Sequence, residues 1–334
     1  MKKILSAILM SGILLSGCGS EKIGNTKEIL NVSSEPTKEF YEEYNKHFKK
    51  HWEQELNRGK VTINQSHGAS ANQADAVIDG KLKADVVTLT IPYDVTKIKN
   101  AGLIRSGWRK EFPDNASPHF STIVFLVRAG NPKNIKDWDD LIRDDVKIVT
   151  PNPKTSGGAR WNYLTAWEYG RRNLGDDKNQ ILKFMRKIFK NIVSMDAGVR
   201  ESREKFRNGL GDVLIAWESE ALRYKEEYPA ECDVIVPSIS IVAELPVAIV
   251  DKISDEHNTR EVSMEYLEYL YSDEGQELAA KNFYRPRNKE ILLKYRRQFK
   301  PIGLFTIDDA FGGWTKSYNE HFAEGATFDQ VRNK

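Results

Sequence analysis

The sequence predicts an α/β protein built from two lobes. Two observations carry that prediction. Eight short stretches rich in Val and Ile, each bounded by Gly, Pro, Asn or Ser, alternate with longer stretches of helical character. The chain has 334 residues, too many for one small domain and about right for two at ~150 residues each. Alternation of this kind covers sheets with helices on both faces. On such sheets ligands sit at the carboxyl ends of strands, beside helix starts, and two lobes would place that site in the cleft between them.

Composition narrows the function classes. Charged residues make up 29% and hydrophobic residues 40%, which supports a packed core and argues against global disorder. Lys and Arg total 50 against 48 Asp and Glu, without the basic excess of a nucleic-acid binder. Two cysteines exclude a disulfide scaffold and a Cys-based zinc site. There is no internal repeat and no low-complexity tract.

Read in order, the chain begins with an export signal. Lys2 and Lys3 precede an apolar stretch from Ile4 to Ser16, too short to span a bilayer as an ordinary helix. It ends in Leu15-Ser16-Gly17-Cys18, which resembles a bacterial lipobox. That implies removal of residues 1–17, lipidation of Cys18 and a polar tether over residues 18–27. Removal takes away two lysines and no acid, so the formal charge falls from +2 to zero. The remaining Cys232 stands beside Val234, Ile235 and Val236 and is expected to be buried packing.

The candidate strands are Ile29–Ser33, Val61–Gln65, Ala84–Leu89, Thr122–Arg128, Lys147–Thr150, Asp212–Trp217, Asp233–Val236 and Pro246–Asp251. In the first helical stretch Phe40, Tyr44, Phe48 and Trp52 recur every fourth residue and would line one buried face. Four strand ends run directly into helix-start chemistry. At Ser33-Ser34-Glu35-Pro36, proline suits the first helical turn. At His67-Gly68-Ala69-Ser70, Ser70 is a candidate cap. After Thr150, the run Pro151 through Arg160 holds Ser156 as a candidate cap, and Gly157 and Gly158 allow close backbone approach. The fourth is Asp196-Ala197-Gly198-Val199-Arg200. Each helix start offers N–H groups without helical acceptors and a partial positive charge. Several aimed at one point would hold an anion without Lys or Arg.

The residues also resemble a known family. Asn31-Val32-Ser33, Gln65 through Gly68, Ala84 through Leu89, Ser121 through Arg128, Thr150 through Lys154, Ser156 through Leu164, Gly211 through Glu218, Ala279 through Arg287, Leu304 through Asp308 and Phe311 through Lys316 carry the likeness. Together they are similar to the sulfate/thiosulfate-binding proteins of bacterial ABC importers, from about Ile29 to the C-terminus. The resemblance implies a periplasmic-binding-protein fold of type II that closes on its ligand by a hinge. It implies lobe one over residues 28–115 and 246–334 and lobe two over 116–245. It implies sulfate bound in the cleft by neutral donors: backbone N–H groups at Glu35, Gly157, Gly158 and Val199, hydroxyls at Ser70 and Ser156, and the indole N–H of Trp217. No cofactor, metal or catalysis is implied. The implied setting is a monomer, lipid-anchored outside a bacterial cytoplasm, delivering its anion to a membrane permease with ATPase subunits.

The chemistry is coherent. Sulfate is fully ionised near neutrality and has no proton to donate, whereas phosphate keeps one near its second pKa of about 6. A cleft made only of donors leaves a protonated anion without its acceptor, and an unpaired buried group costs ~1–3 kcal/mol. The family often has Asp preceded by an aromatic where this chain has Ser34-Glu35, and Ala where it has Val199. The chain is also one residue shorter than typical relatives between Val199 and Trp217. A Glu35 carboxylate turned into the cleft would favour a protonated oxyanion. The alternative is therefore a receptor for phosphate or molybdate. A hydrolase reading of Ser156 lacks the Gly-x-Ser-x-Gly elbow and an assignable base. His47 and His51, four apart on a helix, lack the Glu of a zincin and read as a helix face. His67 beside the candidate site reads equally as a structural hydrogen-bonding group.

Overall fold

The computed structural model describes residues 26–332. The export and lipidation readings at residues 1–17 and Cys18 lie outside them. Two sheets dominate. The first orders its strands Val247–Ile249, Val86–Thr88, Lys27–Ser34, Val61–Gly68; the last three run parallel and the first is antiparallel to its neighbour. The second orders Ile192–Asp196, Ile148–Pro151, Val213–Trp217, Ile123–Arg128, Cys232–Ile235, parallel over its first three strands and antiparallel over the rest. Every strand read from the sequence is present, with ends moved by one to three residues.

Parallel pairs need crossovers, and helices supply them. In the first lobe these are α1 (Lys38–Lys50), α2 (Ser70–Ile78) and α3 (Pro92–Asn100). The row Phe40, Tyr44, Phe48 and Trp52 is buried as its spacing requires, with Trp52 on a π-type turn over His51–Glu55. Four buried aromatics of this size contribute on the order of 1.5–3 kcal/mol each. In the second lobe the helices are α4 (Gly157–Leu174), α5 (Lys178–Lys190), α6 (Val199–Arg207) and α7 (Glu218–Glu227). Cys232 is free and fully buried among Val124, Phe206 and Tyr224, and burial raises its thiol pKa to about 11.

A third, small antiparallel sheet joins the lobes. His119–Ser121 pairs with Ala243–Glu244 on one side and with Arg285–Pro286 on the other. Chain continuity makes these strands the crossings: His119–Ser121 leads straight into Ile123–Arg128, and Ala243–Glu244 into Val247–Ile249. A buried ion pair pins this region. Arg285 donates to both Glu218 carboxylate oxygens at 2.6 and 2.8 Å, and to the Lys300 carbonyl.

The sequence reading does not include the strands His119–Ser121, Ile192–Asp196, Ile239–Ile241, Ala243–Glu244, Arg285–Pro286 and Gly303–Phe305. Five of these are only two or three residues long, and in Ile192–Asp196 Val193 is exposed and Ser194 and Asp196 interrupt the apolar run that signals a strand. Several contacts join the C-terminal stretch to the second sheet and its helices. Gly303–Phe305 pairs with Ile239–Ile241, Phe328 packs on Tyr163 and Phe189, and Arg186 donates to the Gln330 carbonyl.

Candidate functional site

The strand ends of both sheets face one small cavity of about 20 Å³. From lobe one its wall includes Ser34, Glu35, Ser70 and Thr90; from lobe two Ser156, Gly157, Gly158 and Val199. All but Thr90 belong to the helix starts picked from the sequence. The spacing of residues along the chain could not show convergence, and the fold supplies it. Six of the seven predicted ligand residues line this cavity; Trp217 lies behind it, in an adjoining cavity shared with Val199.

The lobe-two side is built around Ser156. Its backbone N–H donates to the Asn152 carbonyl at 2.8 Å, and its hydroxyl oxygen accepts from the Ala159 N–H at 3.3 Å, capping α4. Thr155 donates to the Ala197 carbonyl at 2.8 Å, tying this loop to the start of α6. Asp196, just before that start, accepts from Ser194 and Ser202 at 2.7 Å each and from Lys205. Those bonds and the Lys205 charge outweigh burial and hold its carboxyl below the usual range. Gly198 is the N-cap of α6 and Val199 its first residue. The Trp217 indole donates to the Gly158 carbonyl at 3.2 Å, so its N–H is engaged by the same turn that lines the cavity.

The lobe-one side differs. Ser70 is not a cap: Ala69 occupies that position and receives no side-chain bond. The Ser70 hydroxyl instead donates to Asp94 at 2.6 Å and accepts from the Thr90 N–H at 3.3 Å. Its single proton is committed, because a buried carboxylate is a stronger acceptor than a neutral group. Burial pushes the Asp94 carboxyl up, opposed by Arg160 and by the Ser70 bond. What Ser70 presents to the cavity is its backbone N–H in the first turn of α2.

Among the described residues Glu35 is the one ionisable residue of the cavity lining, and its carboxylate lies beside the start of α6. It pairs with Arg200 of the opposite lobe at 3.3 Å, with both side chains partly exposed. Arg160 stays outside the lining, donating to the Pro153 carbonyl at 3.0 Å. His67 is half-buried, its Nδ1 without a partner, and burial lowers its pKa. His47 pairs with Glu274 and His51 with Glu55 and Glu265, so the two histidines face different carboxylates. Among the described residues no group of three or more His, Cys, Asp or Glu could hold a metal ion. Among them also no helix is long and apolar enough to cross a membrane.

A family model described as bacterial extracellular solute-binding protein matches residues 29–285. The chain belongs to that family. Among similar solute-binding proteins is the sulfate-binding protein of Escherichia coli (strain K12), 52% identical over 309 residues, covering 92% of this chain and 93% of that one. The thiosulfate-binding protein of Pseudomonas aeruginosa is 42% identical over 335 residues, covering 99% of each. In structure, the sulfate-binding protein SubI of Mycobacterium tuberculosis matches with a TM-score of 0.80 at 28% identity, over 89% of this chain and 99% of that one. The periplasmic-binding-protein fold expected from the sequence is the fold of this solute-binding protein. Sequence reasoning missed Thr90 in its cleft and Asp94 behind Ser70, because each contributes through partners distant along the chain.

Proposed function

We propose that this protein captures sulfate, with thiosulfate as the related ligand, and hands it to an ABC permease outside the cytoplasm. The observation that supports this most is the cavity lining: helix starts from both lobes meet there, and among the described residues no Lys or Arg side chain lines it. Backbone N–H groups at Glu35, Ser70, Gly157, Gly158 and Val199, with the Ser156 hydroxyl, would neutralise the dianion by dipoles and hydrogen bonds. The Trp217 indole would join by exchanging its Gly158 carbonyl for an anion oxygen. The Glu35 carboxylate, the acceptor that hydrogenphosphate would need, is paired with Arg200, which disfavours the phosphate reading. The protein acts as a carrier without turnover, tethered through lipidated Cys18.

Isothermal titration of the protein beginning near Ser20 with sulfate, thiosulfate, phosphate and molybdate at pH 7 tests this. One-to-one binding of sulfate or thiosulfate with no phosphate response is expected, and Trp217→Phe weakens it. A preference for phosphate or molybdate would sink the sulfate assignment.

A further inference from the structure

Thr90 follows the strand Val86–Thr88 and precedes α3. Nothing in the sequence marks it as a ligand residue. In the structure it is 2% exposed and lines the cavity. Its backbone is held from both sides: the N–H donates to Ser70 at 3.3 Å, and the carbonyl accepts from the Trp161 indole of lobe two at 3.0 Å. Its hydroxyl has no hydrogen-bond partner among the described residues. That hydroxyl stands 2.7 Å from the point where a Cβ on Gly157 would lie. It therefore occupies the space the missing Gly157 side chain leaves, against the first turn of α4.

A buried hydroxyl with no acceptor is unfavourable unless something answers it. Here the neighbouring Ser70 proton is committed to Asp94, while the Thr90 proton is not. An anion oxygen seated on the Gly157 and Gly158 N–H groups would be the acceptor that the fold otherwise withholds. Ser34 is also buried and unpartnered in this lining, but no contact fixes the direction of its hydroxyl.

We propose that Thr90 is a further ligand-binding residue, whose hydroxyl donates a hydrogen bond from lobe one to the oxyanion held at the start of α4. This rests on the oxyanion-receptor reading above. Because the contact forms against the opposite lobe, it also rewards closure of the cleft on the anion.

Sulfate titrations of wild type, Thr90→Ser, Thr90→Val and Thr90→Ala at pH 7, with thermal unfolding of each without anion, test it. Thr90→Ser should bind within about threefold of wild type. Thr90→Val and Thr90→Ala should both weaken binding roughly 10- to 100-fold, the range for a hydrogen bond to a charged group. Thr90→Val should unfold no earlier than wild type, since it removes an unanswered polar group and keeps the shape. If Thr90→Val binds like wild type while Thr90→Ala is weakened, the side chain acts by packing and the inference fails, with the receptor reading intact. If wild type binds neither sulfate nor thiosulfate, the receptor reading falls first and takes this inference with it.

Discussion

Two serines face each other across the cleft at the starts of α2 and α4, and they do different chemistry. Ser156 accepts a hydrogen bond from Ala159, which leaves its proton free for a ligand. Ser70 gives its proton to Asp94 and presents only backbone. The same residue type at the same kind of position thus yields a hydroxyl donor on one wall and none on the other. The nearest acceptor decides, and that acceptor comes from a residue 24 positions away. The walls also differ in anchorage. The lobe-two wall continues through Trp217 into Glu218 and its buried pair with Arg285, whereas the lobe-one wall reaches lobe two at the rim through the exposed pair of Glu35 with Arg200.

That contrast can be broken at its strongest point first. Arg285→Met leaves Glu218 buried without its cation, and removing one partner of such a pair costs ~3–5 kcal/mol. Urea unfolding should show a loss of that size; a loss under about 1 kcal/mol would mean the pair does not anchor the wall. Next comes the seam itself. Gly157→Ala drives a Cβ to 2.7 Å from the Thr90 hydroxyl. Overpacking of this kind costs ~1–3 kcal/mol, so sulfate affinity should fall by roughly 10- to 100-fold. Unchanged affinity would show that the lobes do not meet at this glycine in the bound form.

The joining sheet carries a pH dependence. His119 is fully buried with neither ring nitrogen partnered among the described residues, and burial, reinforced by Arg287, lowers its pKa to about 3. The unfolded chain takes this proton near the usual ~6.5, while the folded chain refuses it until about 3. Its contribution to stability is therefore present above ~6.5 and is lost as pH falls toward 3. The melting temperature should drop on going from pH 7 to pH 5, and His119→Phe should flatten that slope. A slope unaltered by the substitution would place the titrating group elsewhere.

The smallest effect belongs to the rim. Arg200→Gln removes a partly exposed ion pair, and such pairs contribute ~0–1 kcal/mol. Sulfate affinity should change by less than about fivefold, and the difference should shrink in high salt. A larger, salt-insensitive change would mean that the pair reaches into the site.

Much of this was legible along the chain because its signals are local. Strands of Val and Ile ending in Ser, Gly or Pro revealed both sheets, and Ser156 before two glycines revealed a cap. The fourth-residue row from Phe40 to Trp52 revealed a buried face. The rest depends on partners far apart in sequence. Asp94 captures Ser70, Gly158 engages Trp217, and Arg200 pairs with Glu35. Nothing within ten residues of Ser70 announces that its hydroxyl is already bonded. Strand Ile192–Asp196 escaped because two of its five side chains, Ser194 and Asp196, are polar and break the apolar run.

The most direct test of the account sets the two serines against each other. Sulfate is titrated into Ser156→Ala and Ser70→Ala under identical conditions. Ser156→Ala should weaken binding by roughly 10- to 100-fold, the range for a hydrogen bond to a charged group. Ser70→Ala should stay within about threefold of wild type, because its backbone N–H remains. The reverse order would contradict the division of labour between the two walls.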